Sequence, residues 1–405
     1  MVDGLLMELE DHNCWSIAEA VGHRGPHRLQ HLLSRAVWDE QRAVDAAAGW
    51  AVEQFGDADA VLVVDETADA KSSTDTVGAA RQYSGTLGQV AVCQVMVTLT
   101  YATGRGHTLI DRALYLPERC AADDEHRDLA GIPDEVAFAT KPALAGALLE
   151  RAHARGIGAA FVAGDEVYGG ADLRRQIRGL GLGYVLAVRA NHPLTLGDGR
   201  TRTAAEAIKL IRPNAWARMR TGSGTKGIRH YDWAMLDVQA DDTPDGHEAG
   251  HSVLLVRRHR YTRTVSFYRC FTPGPAPLSR LIAIAVIRWR IEEDHQLAKQ
   301  VSGLDSGQVT RWRSWHRWSA LCLIAYMFLA AATAAQRDHD TQAGTDLDLA
   351  PITIPELLRL LRDTVIPPRR RDRLHRRAWS HWRRRHRHRA WQAHQAWNAY
   401  AAATP

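Results

Sequence analysis

The chain has 405 residues, long enough for two or three domains, and its 45% apolar and 24% charged content is ordinary for a folded globular protein. Its five scattered cysteines argue against a disulfide framework and a cysteine metal site, and they are typical of a reducing cytoplasm. The early residues lack the basic start and apolar run of a secretory signal. The net charge of +5 is uneven, because residues 369–389 hold 11 arginines and one acid, a local charge of +10 that predicts contact with a polyanion.

The chain begins with a region that predicts helices. Residues 12–55 contain two short amphipathic runs on either side of a turn at 22–26, followed by a further helical stretch. Helix, turn and helix is the arrangement of a DNA-reading module. A plain helical hairpin gives the same pattern more often, so both interpretations stay open.

The most informative stretch is residues 60–67, A-V-L-V-V-D-E-T. A continuous apolar run that ends at an acid predicts a buried strand with Asp65 at its end, which is where α/β folds place their chemistry. Taken alone, Asp65 is equally typical of a residue that caps a loop and of a functional residue. Residues 159–165, A-A-F-V-A-G-D, repeat the pattern with Asp165, and this second copy favours a functional site.

The elements around these strands predict the fold. Strands at 89–102 and 108–117 can complete an antiparallel meander with the first strand. A helix at 142–156, the strand ending at Asp165, a helix at 171–178 and a strand at 184–188 follow. The order β-β-β-α-β-α-β, with a later helix added, is the topology of a ribonuclease-H-like α/β core. In that topology Asp65 and Asp165 lie side by side.

Residues 193–280 predict a β-rich insertion before the next long helix. The segment contains a helix at 204–211, a Gly-rich turn at 221–227 and strands at 231–238, 252–257 and 265–271. Trp216 and Trp233 could stack on a displaced base, an interaction worth roughly 1–3 kcal/mol. Packing inside a β-domain is the commoner role for both.

Residues 281–300 predict a helix with a functional face. Arg288, Glu292, His295 and Lys299 are spaced so that they share one side of it. A solvated, salt-bridged face has the same spacing, but the apolar run at 281–287 indicates a mostly buried helix. The shared face favours Glu292 over the neighbouring acids.

The carboxyl-terminal part is basic and rich in tryptophan. After R-W-R-S-W-H-R-W at 311–318, the apolar stretch at 319–335 predicts a buried core helix rather than a membrane span. A polar linker at 338–351, a helix at 353–362 and the basic tail follow. The tail is expected to lie on DNA with a salt slope near −5 for about six phosphates; a disordered, solvated tail is the alternative, and its interleaved tryptophans favour a docked helix. The predicted DNA contacts are Arg311, Arg313, Arg317, Arg369, Arg370, Arg371, Arg383, Arg384 and Arg385.

The candidate site residues predict a metal centre. Asp65, Asp165 and Glu292 would supply oxygen ligands without sulfur, a set that suits Mg²⁺ or Mn²⁺ rather than zinc. Two such ions about 4 Å apart can activate a water or a 3′-hydroxyl and stabilise the leaving oxygen of a phosphodiester. Arg288 and Lys299 could then hold phosphates beside the ions.

Six segments in order carry a family resemblance. They are V-V-D-E-T at 63–67, A-R-Q-Y-S-G at 80–85, G-D-E-V-Y-G at 164–169, Y-D-W-A at 231–234, R-W-R-I-E-E at 288–293 and S-W-H-R-W at 314–318. Together they resemble the IS701-type transposases, IS4-like members of the DDE transposases of bacterial insertion sequences. The helix with Arg288, Glu292 and Lys299 is similar to the signature helix of that group. In place of the signature tyrosine three residues before the arginine stands Ala285, so a hairpin intermediate is not inferred.

The resemblance implies cut-and-paste transposition by a ribonuclease-H-like core with a β-rich insertion before the catalytic helix. Asp65, Asp165 and Glu292 would be the metal-binding triad. The expected partners are the terminal inverted repeats and target DNA, with a homodimer on DNA, no membrane, and a bacterial cytoplasmic, nucleoid-associated location. The expected organisation is a helical region at 1–57, the core at 58–192, the insertion at 193–280, the rest of the core at 281–336, and linker and basic helices at 337–405.

Two other functions stay open. A catalytically inactive DNA-binding derivative would fit a start-trimmed copy, since only about 60 residues precede the core. A metal-dependent nuclease without strand transfer would share the triad.

Overall fold

The computed structural model describes residues 1–85, 88–224, 227–344 and 349–403. Residues 225–226 of the predicted Gly-rich turn and 345–348 of the predicted linker lie outside the described residues. The described chain is a mixed α/β protein in which one large mixed sheet is packed with helices, and both terminal regions are helical.

The amino-terminal region is helical, as the periodicity of residues 12–55 predicts. Its helices are α1 (Val2–Leu6), α2 (Cys14–Ala20), α3 (His27–Ser34) and α4 (Glu40–Phe55). The side chains of Asn13 and Asp39 accept backbone N–H groups at the starts of α2 and α4, which explains where these helices begin. Leu29 and Leu33 of α3 are buried in the core.

Twelve strands are found in the described residues. They are β1 (Val61–Ala70), β2 (Ala80–Ser84), β3 (Gln89–Ala102), β4 (His107–Tyr115), β5 (Phe161–Gly164), β6 (Gly183–Val188), β7 (Pro193–Thr195), β8 (Thr201–Thr203), β9 (Ala217–Gly224), β10 (Gly227–Asp237), β11 (His251–His259) and β12 (Val265–Thr272). Ten of them form one sheet in the order β2-β3-β1-β5-β6-β12-β11-β10-β9, with β4 also paired to β3, while β7 and β8 pair separately. The predicted antiparallel meander is therefore present as β1, β3 and β4, and β2 is an additional strand.

The remaining helices flank the sheet or follow it. They are α5 (Glu118–Ala121), α6 (Asp124–Ala130), α7 (Lys141–Ala154), α8 (Ala171–Gly179), α9 (Ala204–Ala207), α10 (Leu278–Ile287), α11 (Trp289–Ser302), α12 (Trp312–Gln342), α13 (Ile354–Thr364) and α14 (Arg373–Ala403). Short 3₁₀ turns at 208–210 and 213–215 follow α9, so the predicted helix at 204–211 is only partly α-helical.

The three predicted strands of the insertion do not form a separate sheet, although the short strands β7 and β8 of the same segment pair with each other apart from the central sheet. β12 pairs antiparallel with β6, and β11, β10 and β9 continue from it, so the insertion lengthens the central sheet. The physical reason is that β6 would otherwise present an unpaired edge of backbone N–H and C=O groups.

The apolar stretch at 319–335 lies within α12. By length and composition alone α12 could cross a membrane, and among the described helices it is the one that passes this test. In the fold 72% of its apolar window is buried, where α12 packs against α4, β4 and α11. This is the buried core helix that the sequence predicts. Its end at Gln342 makes the first residues of the predicted linker helical.

The basic tail is a docked helix over its first half. Trp379 is 1% exposed and donates its indole N–H to the carbonyl of His23, 2.8 Å away. The ring of Trp382 lies 4.7 Å from that of Trp15. Further along, Trp391 is 59% exposed. The start of α14 thus covers the α2–α3 turn, which supports the plain-hairpin interpretation.

Candidate active site

Asp65 and Asp165 lie at the same edge of the sheet, where β1 and β5 run parallel as neighbours. Val64 is in register with Gly164, so each acid is the next residue along its chain. Asp165 directly follows β5, but the prediction that the first strand ends at Asp65 is wrong: β1 continues to Ala70, because β3 stays paired with it beyond the acid. A Cβ at position 164 would come within 2.9 Å of Val64, which explains the glycine in this strand. Each carboxylate accepts a nearby backbone N–H at 2.8 Å, a bond that orients it.

Burial perturbs the pKa of both carboxylates, and the charge of Asp165 also acts on Asp65. Burial, together with the charge of Asp165, raises the pKa of Asp65 to about 7, although Arg288 acts in the opposite direction. Burial is also the main cause that raises the pKa of Asp165, and the charge of Glu66 adds to it. Carboxylates that share a desolvated position resist double ionisation. Ionisation of both carboxylates therefore requires positive charge nearby, and the structure supplies that of Arg288.

Arg288 connects this pair to Glu292. Its guanidinium lies 3.3 Å from Oδ2 of Asp65 and 3.0 Å from Oε1 of Glu292. The predicted helix at 281–300 is two helices in the structure, α10 and α11, which meet at Arg288. Arg288 keeps helical dihedral angles, φ −50° and ψ −34°, so the predicted face continues across the junction. Ala285, where the signature has tyrosine, is buried in α10.

The two acids after Glu292 face elsewhere. Asp294 is fully buried, and its carboxylate accepts hydrogen bonds from Thr100, His107 and Tyr326 at 2.5–2.7 Å. Glu293 lies 3.3 Å from the ring of His107. Both acids therefore contact residues of β3, β4 and α12, and neither of them points towards Asp65. This geometry supports the choice of Glu292.

A cleft of about 1100 Å³ opens over the acids, and the predicted helix face lines it. Arg288, Glu292, His295 and Lys299 all reach this cleft. Lys299 is held there by Asp69, whose carboxylate is 2.8 Å from Nζ. Both predicted DNA-contacting cations of α11 are therefore paired with acids of the protein itself.

A second polar group beside the acids escaped the sequence reasoning. Glu66 accepts a hydrogen bond from the hydroxyl of Tyr168 at 2.6 Å and forms an ion pair with Lys141, also at 2.6 Å. Tyr168 is fully buried. Glu66 and Tyr168 belong to the V-V-D-E-T and G-D-E-V-Y-G segments, so co-occurrence of the two motifs was the available signal. For Asp69 the signal in the sequence was weaker: it follows Asp65 by four residues, which places both side chains on the same face of the strand.

The predicted DNA contacts divide into exposed and buried residues. The exposed ones are Arg311, Arg313, Arg369, Arg370, Arg371, Arg384 and Arg385. Arg383 forms an ion pair with Glu19 at 2.5 Å, so part of its charge is neutralised within the protein. Arg317 is only 4% exposed and donates to the carbonyls of Leu32 and Trp38. The prediction for Arg317 is wrong in this fold, because its guanidinium ties α12 to the amino-terminal helices.

The two tryptophans proposed for base stacking differ in the same way. Trp233 is fully buried on β10, and its ring stacks on Tyr268. It therefore packs within the β-strands, and no face of it is open to a base. Trp216 is half-buried, and the guanidinium of Arg258 covers its ring at 3.9 Å.

The carboxylates suit a hard divalent cation by their chemistry. They are oxygen donors without sulfur, and a bound cation would offset the burial that raises the pKa of both Asp65 and Asp165. Among the described residues, no group of three or more His, Cys, Asp or Glu side chains is close enough to hold a metal ion. Glu292 instead reaches Asp65 through Arg288. The pair of aspartates fits such an ion, and Glu292 would have to leave Arg288 to join them.

Two family models match this chain. The one described as DDE superfamily endonuclease matches residues 1–233, more than half of the chain, and the one described as Transposase DDE domain matches residues 139–328. The chain belongs to the DDE superfamily of endonucleases. The matched ranges include all three candidate acids, and the family is the one that the sequence motifs predict. Members of it generally use divalent metal ions.

Individual relatives are more distant. The chain is 28% identical over 193 residues to a probable transposase for insertion sequence element IS701 from Microchaete diplosiphon, which covers 47% of each protein. The chain thus aligns with about half the length of this curated relative. Among solved structures, the chain is similar to a piggyBac transposase synaptic complex with hairpin DNA. The superposition covers 74% of this chain and 51% of the piggyBac chain, with 11% sequence identity and a TM-score of 0.40.

Proposed function

We propose that β1, β3, β4, β5 and β6, with α7, α8 and α11, form a ribonuclease-H-like core. An antiparallel meander followed by parallel strands supports this assignment. So does the position of Asp65 and Asp165 directly after the parallel pairing of β1 with β5, since open α/β sheets bind ligands at the carboxyl ends of their parallel strands.

The activity that we propose is DDE transposition. The enzyme would hydrolyse phosphodiesters at the ends of a transposon and then join the freed 3′-hydroxyls to target DNA, as in cut-and-paste transposition. The observation that carries the proposal is the constellation of Asp65, Asp165 and Glu292 in one cleft of a chain that belongs to the DDE superfamily. When bound, two Mg²⁺ or Mn²⁺ ions would activate the attacking oxygen and stabilise the leaving oxygen.

The chain's own residues have distinct proposed roles. Asp65 and Asp165 would be the metal ligands on the sheet side of the cleft. Asp65 must be ionised to bind a cation, and its pKa of about 7 allows this above neutrality. Glu292 completes the set after it parts from Arg288. Arg288 and Lys299 then turn from their internal acids to phosphate oxygens, where charge-assisted hydrogen bonds are strong.

The partners that we propose are the terminal inverted repeats and target DNA. The exposed arginines of the tail, in a segment of charge +10, support contact with phosphates at sites independent of sequence. Two ends cut in one assembly would require a homodimer on DNA. We place the protein in the bacterial cytoplasm, near the nucleoid.

The test compares cutting by wild type, Glu292→Gln and Glu293→Gln. Purified protein is incubated with Mn²⁺ or Mg²⁺ and labelled DNA that carries the repeats flanking its own gene. Metal-dependent cuts at the repeat boundary, followed by joining, are expected for wild type and Glu293→Gln and should be absent for Glu292→Gln.

Other outcomes contradict parts of the proposal. Repeat binding without cutting by wild type would indicate an inactive DNA-binding derivative. Cutting without joining would indicate a nuclease. Loss of cutting in Glu293→Gln but not in Glu292→Gln would move the third acid by one position.

A further inference from the structure

The tip of the β11–β12 hairpin carries a dense positive charge that the proposed function does not use. Residues 257–263 read R-R-H-R-Y-T-R, four arginines and no acid in seven positions; this segment is called the arginine hairpin below. Arg260, Tyr261 and Arg263 are exposed, Tyr261 by 79%. Exposed arginines beside an aromatic ring are typical of nucleic-acid contact surfaces.

The arginine hairpin lies at the same edge of the sheet as the acids. Asp165 follows β5, which is parallel to β6, and the end of β6 at Val188 pairs with Phe267 near the start of β12. The hairpin that precedes β12 therefore projects past this edge. Its strands β12 and β11 are two and three strand spacings from β5, which is about 10–15 Å across the sheet. That distance is comparable to the roughly 12 Å width of a DNA major groove, so a duplex at the acids would reach the hairpin.

The base of the hairpin is fixed by its own contacts. The guanidinium of Arg258 lies 3.9 Å from the ring of Trp216 and 3.3 Å from Asp232. Arg257 lies over the ring of Tyr231 at 5.0 Å. These two arginines are therefore committed to the β-strands, and they hold the tip in position.

The tip itself is folded. The ring of His259 accepts the backbone N–H groups of Tyr261 and Thr262 at 3.3 and 3.1 Å. Arg263 has a φ of +59°, a left-handed conformation that is uncommon for a residue with a side chain. A loop that is ordered before binding loses less entropy when it meets a partner.

The tip arginines also differ from the cations of the cleft in their pairing. Within the part of the chain that the structure describes, Arg260 and Arg263 have no ion pair with an acid, whereas Arg288 and Lys299 do. Arg260 instead lies 5.5 Å from the ring of Tyr261. Their charge is therefore directed to solvent.

We propose that the arginine hairpin holds the phosphate backbone of duplex DNA beside the cleft. Arg260 and Arg263 contact phosphates, and Trp216 and Asp232 position the base of the hairpin through Arg258. The proposal rests on the proposed function only in its choice of DNA as partner. The contact is independent of base sequence, because phosphates carry no sequence information.

The test is the salt dependence of DNA binding by full-length protein without metal. Each lost phosphate contact lowers the slope of log affinity against log salt by about 0.9, so Arg260→Gln with Arg263→Asn should flatten it by about 2. Asparagine is chosen at 263 because it tolerates a positive φ. The loss should be equal on a repeat duplex and on a scrambled duplex.

The matched control is Arg105→Gln with Arg280→Gln. Both arginines lie at the opposite edge of the sheet, Arg105 in an exposed ion pair and Arg280 in a half-buried one with an exposed acid, and such pairs contribute little to stability. The control should keep the wild-type slope, and thermal melting should show both double variants folded. An unchanged slope in the hairpin variant would overturn the proposal even if wild type cuts DNA. Conversely, failure of wild type to cut would leave the slope measurement intact, so the two failures are distinguishable.

Discussion

Arg288 occupies the position between Asp65 and Glu292 where a divalent ion would have to be held. We therefore predict that Arg288→Gln binds Mn²⁺ more tightly than wild type when DNA is absent. The arginine is mostly shielded from solvent, 18% exposed, and an ion must break two pairs of 3.3 and 3.0 Å to enter. At about 0.5–1 kcal/mol for each pair, the release costs about 1–2 kcal/mol in total. Affinity should rise by roughly 5- to 30-fold.

The assay is Mn²⁺ titration followed by electron paramagnetic resonance or calorimetry. It should be done at pH 8.5, because the pKa of Asp65 is about 7 and removal of Arg288 takes away a charge that keeps this pKa lower. The matched control is Arg290→Gln, whose arginine lies only two residues along the chain but is in an ion pair with Glu293. Its Mn²⁺ affinity should equal that of wild type.

The same variant should cut DNA more slowly despite its tighter metal binding, since the proposed phosphate contact of Arg288 is lost with it. The combination separates two effects that a loss of activity alone would confuse. Unchanged or weaker Mn²⁺ binding by Arg288→Gln would refute the competition between the guanidinium and the ion.

Three further predictions concern the parts of the fold that support the site. Trp233→Ala should lower the free energy of unfolding by about 3–5 kcal/mol in denaturant titration, because the ring is fully buried, whereas Trp216→Ala should cost much less. Burial disfavours the charged form of His107, but the carboxylate of Asp294 outweighs it and raises the pKa of His107 to about 9. The protonated ring should therefore stabilise the fold fully below pH 6.5, and this stabilisation should be lost as the pH rises to 9. In His107→Gln the melting temperature should show no such decline. Arg317→Ala should destabilise the fold by about 1–3 kcal/mol without changing the salt slope of DNA binding; a flatter slope would restore it as a DNA contact.

The positions of the acids were predictable because the signals are local. An apolar run that meets an acid indicates a buried strand that reaches a polar site, and the predicted order β-β-β-α-β-α-β makes the two such strands parallel neighbours. Both inferences agree with the pairing of β1 and β5. The helix face with Arg288 and Glu292 was predictable from spacing alone, because it depends only on the helical repeat.

Burial of individual polar and aromatic residues was not predictable in the same way. Arg317 stands in a basic, tryptophan-rich run that looks like a DNA surface, yet α12 places it against α3 and the loop that follows it. Trp233 and Trp216 have similar sequence surroundings, but only the first points into the core. The side on which a residue lies depends on strand register and helix packing, which are set by contacts far apart in the chain.

The pairing of charges in the cleft has a consequence for how DNA would be captured. Arg288 is engaged by Asp65 and Glu292, and Lys299 by Asp69, so the cleft offers little unpaired positive charge to an approaching duplex. Long-range attraction must then come from exposed cations, and screening limits it to about 10 Å at moderate salt. The arginines of α14 and of the arginine hairpin satisfy that requirement. Capture should therefore depend on salt mainly through these surfaces, and the exchange of Arg288 and Lys299 from acids to phosphates should follow it as a separate, slower step.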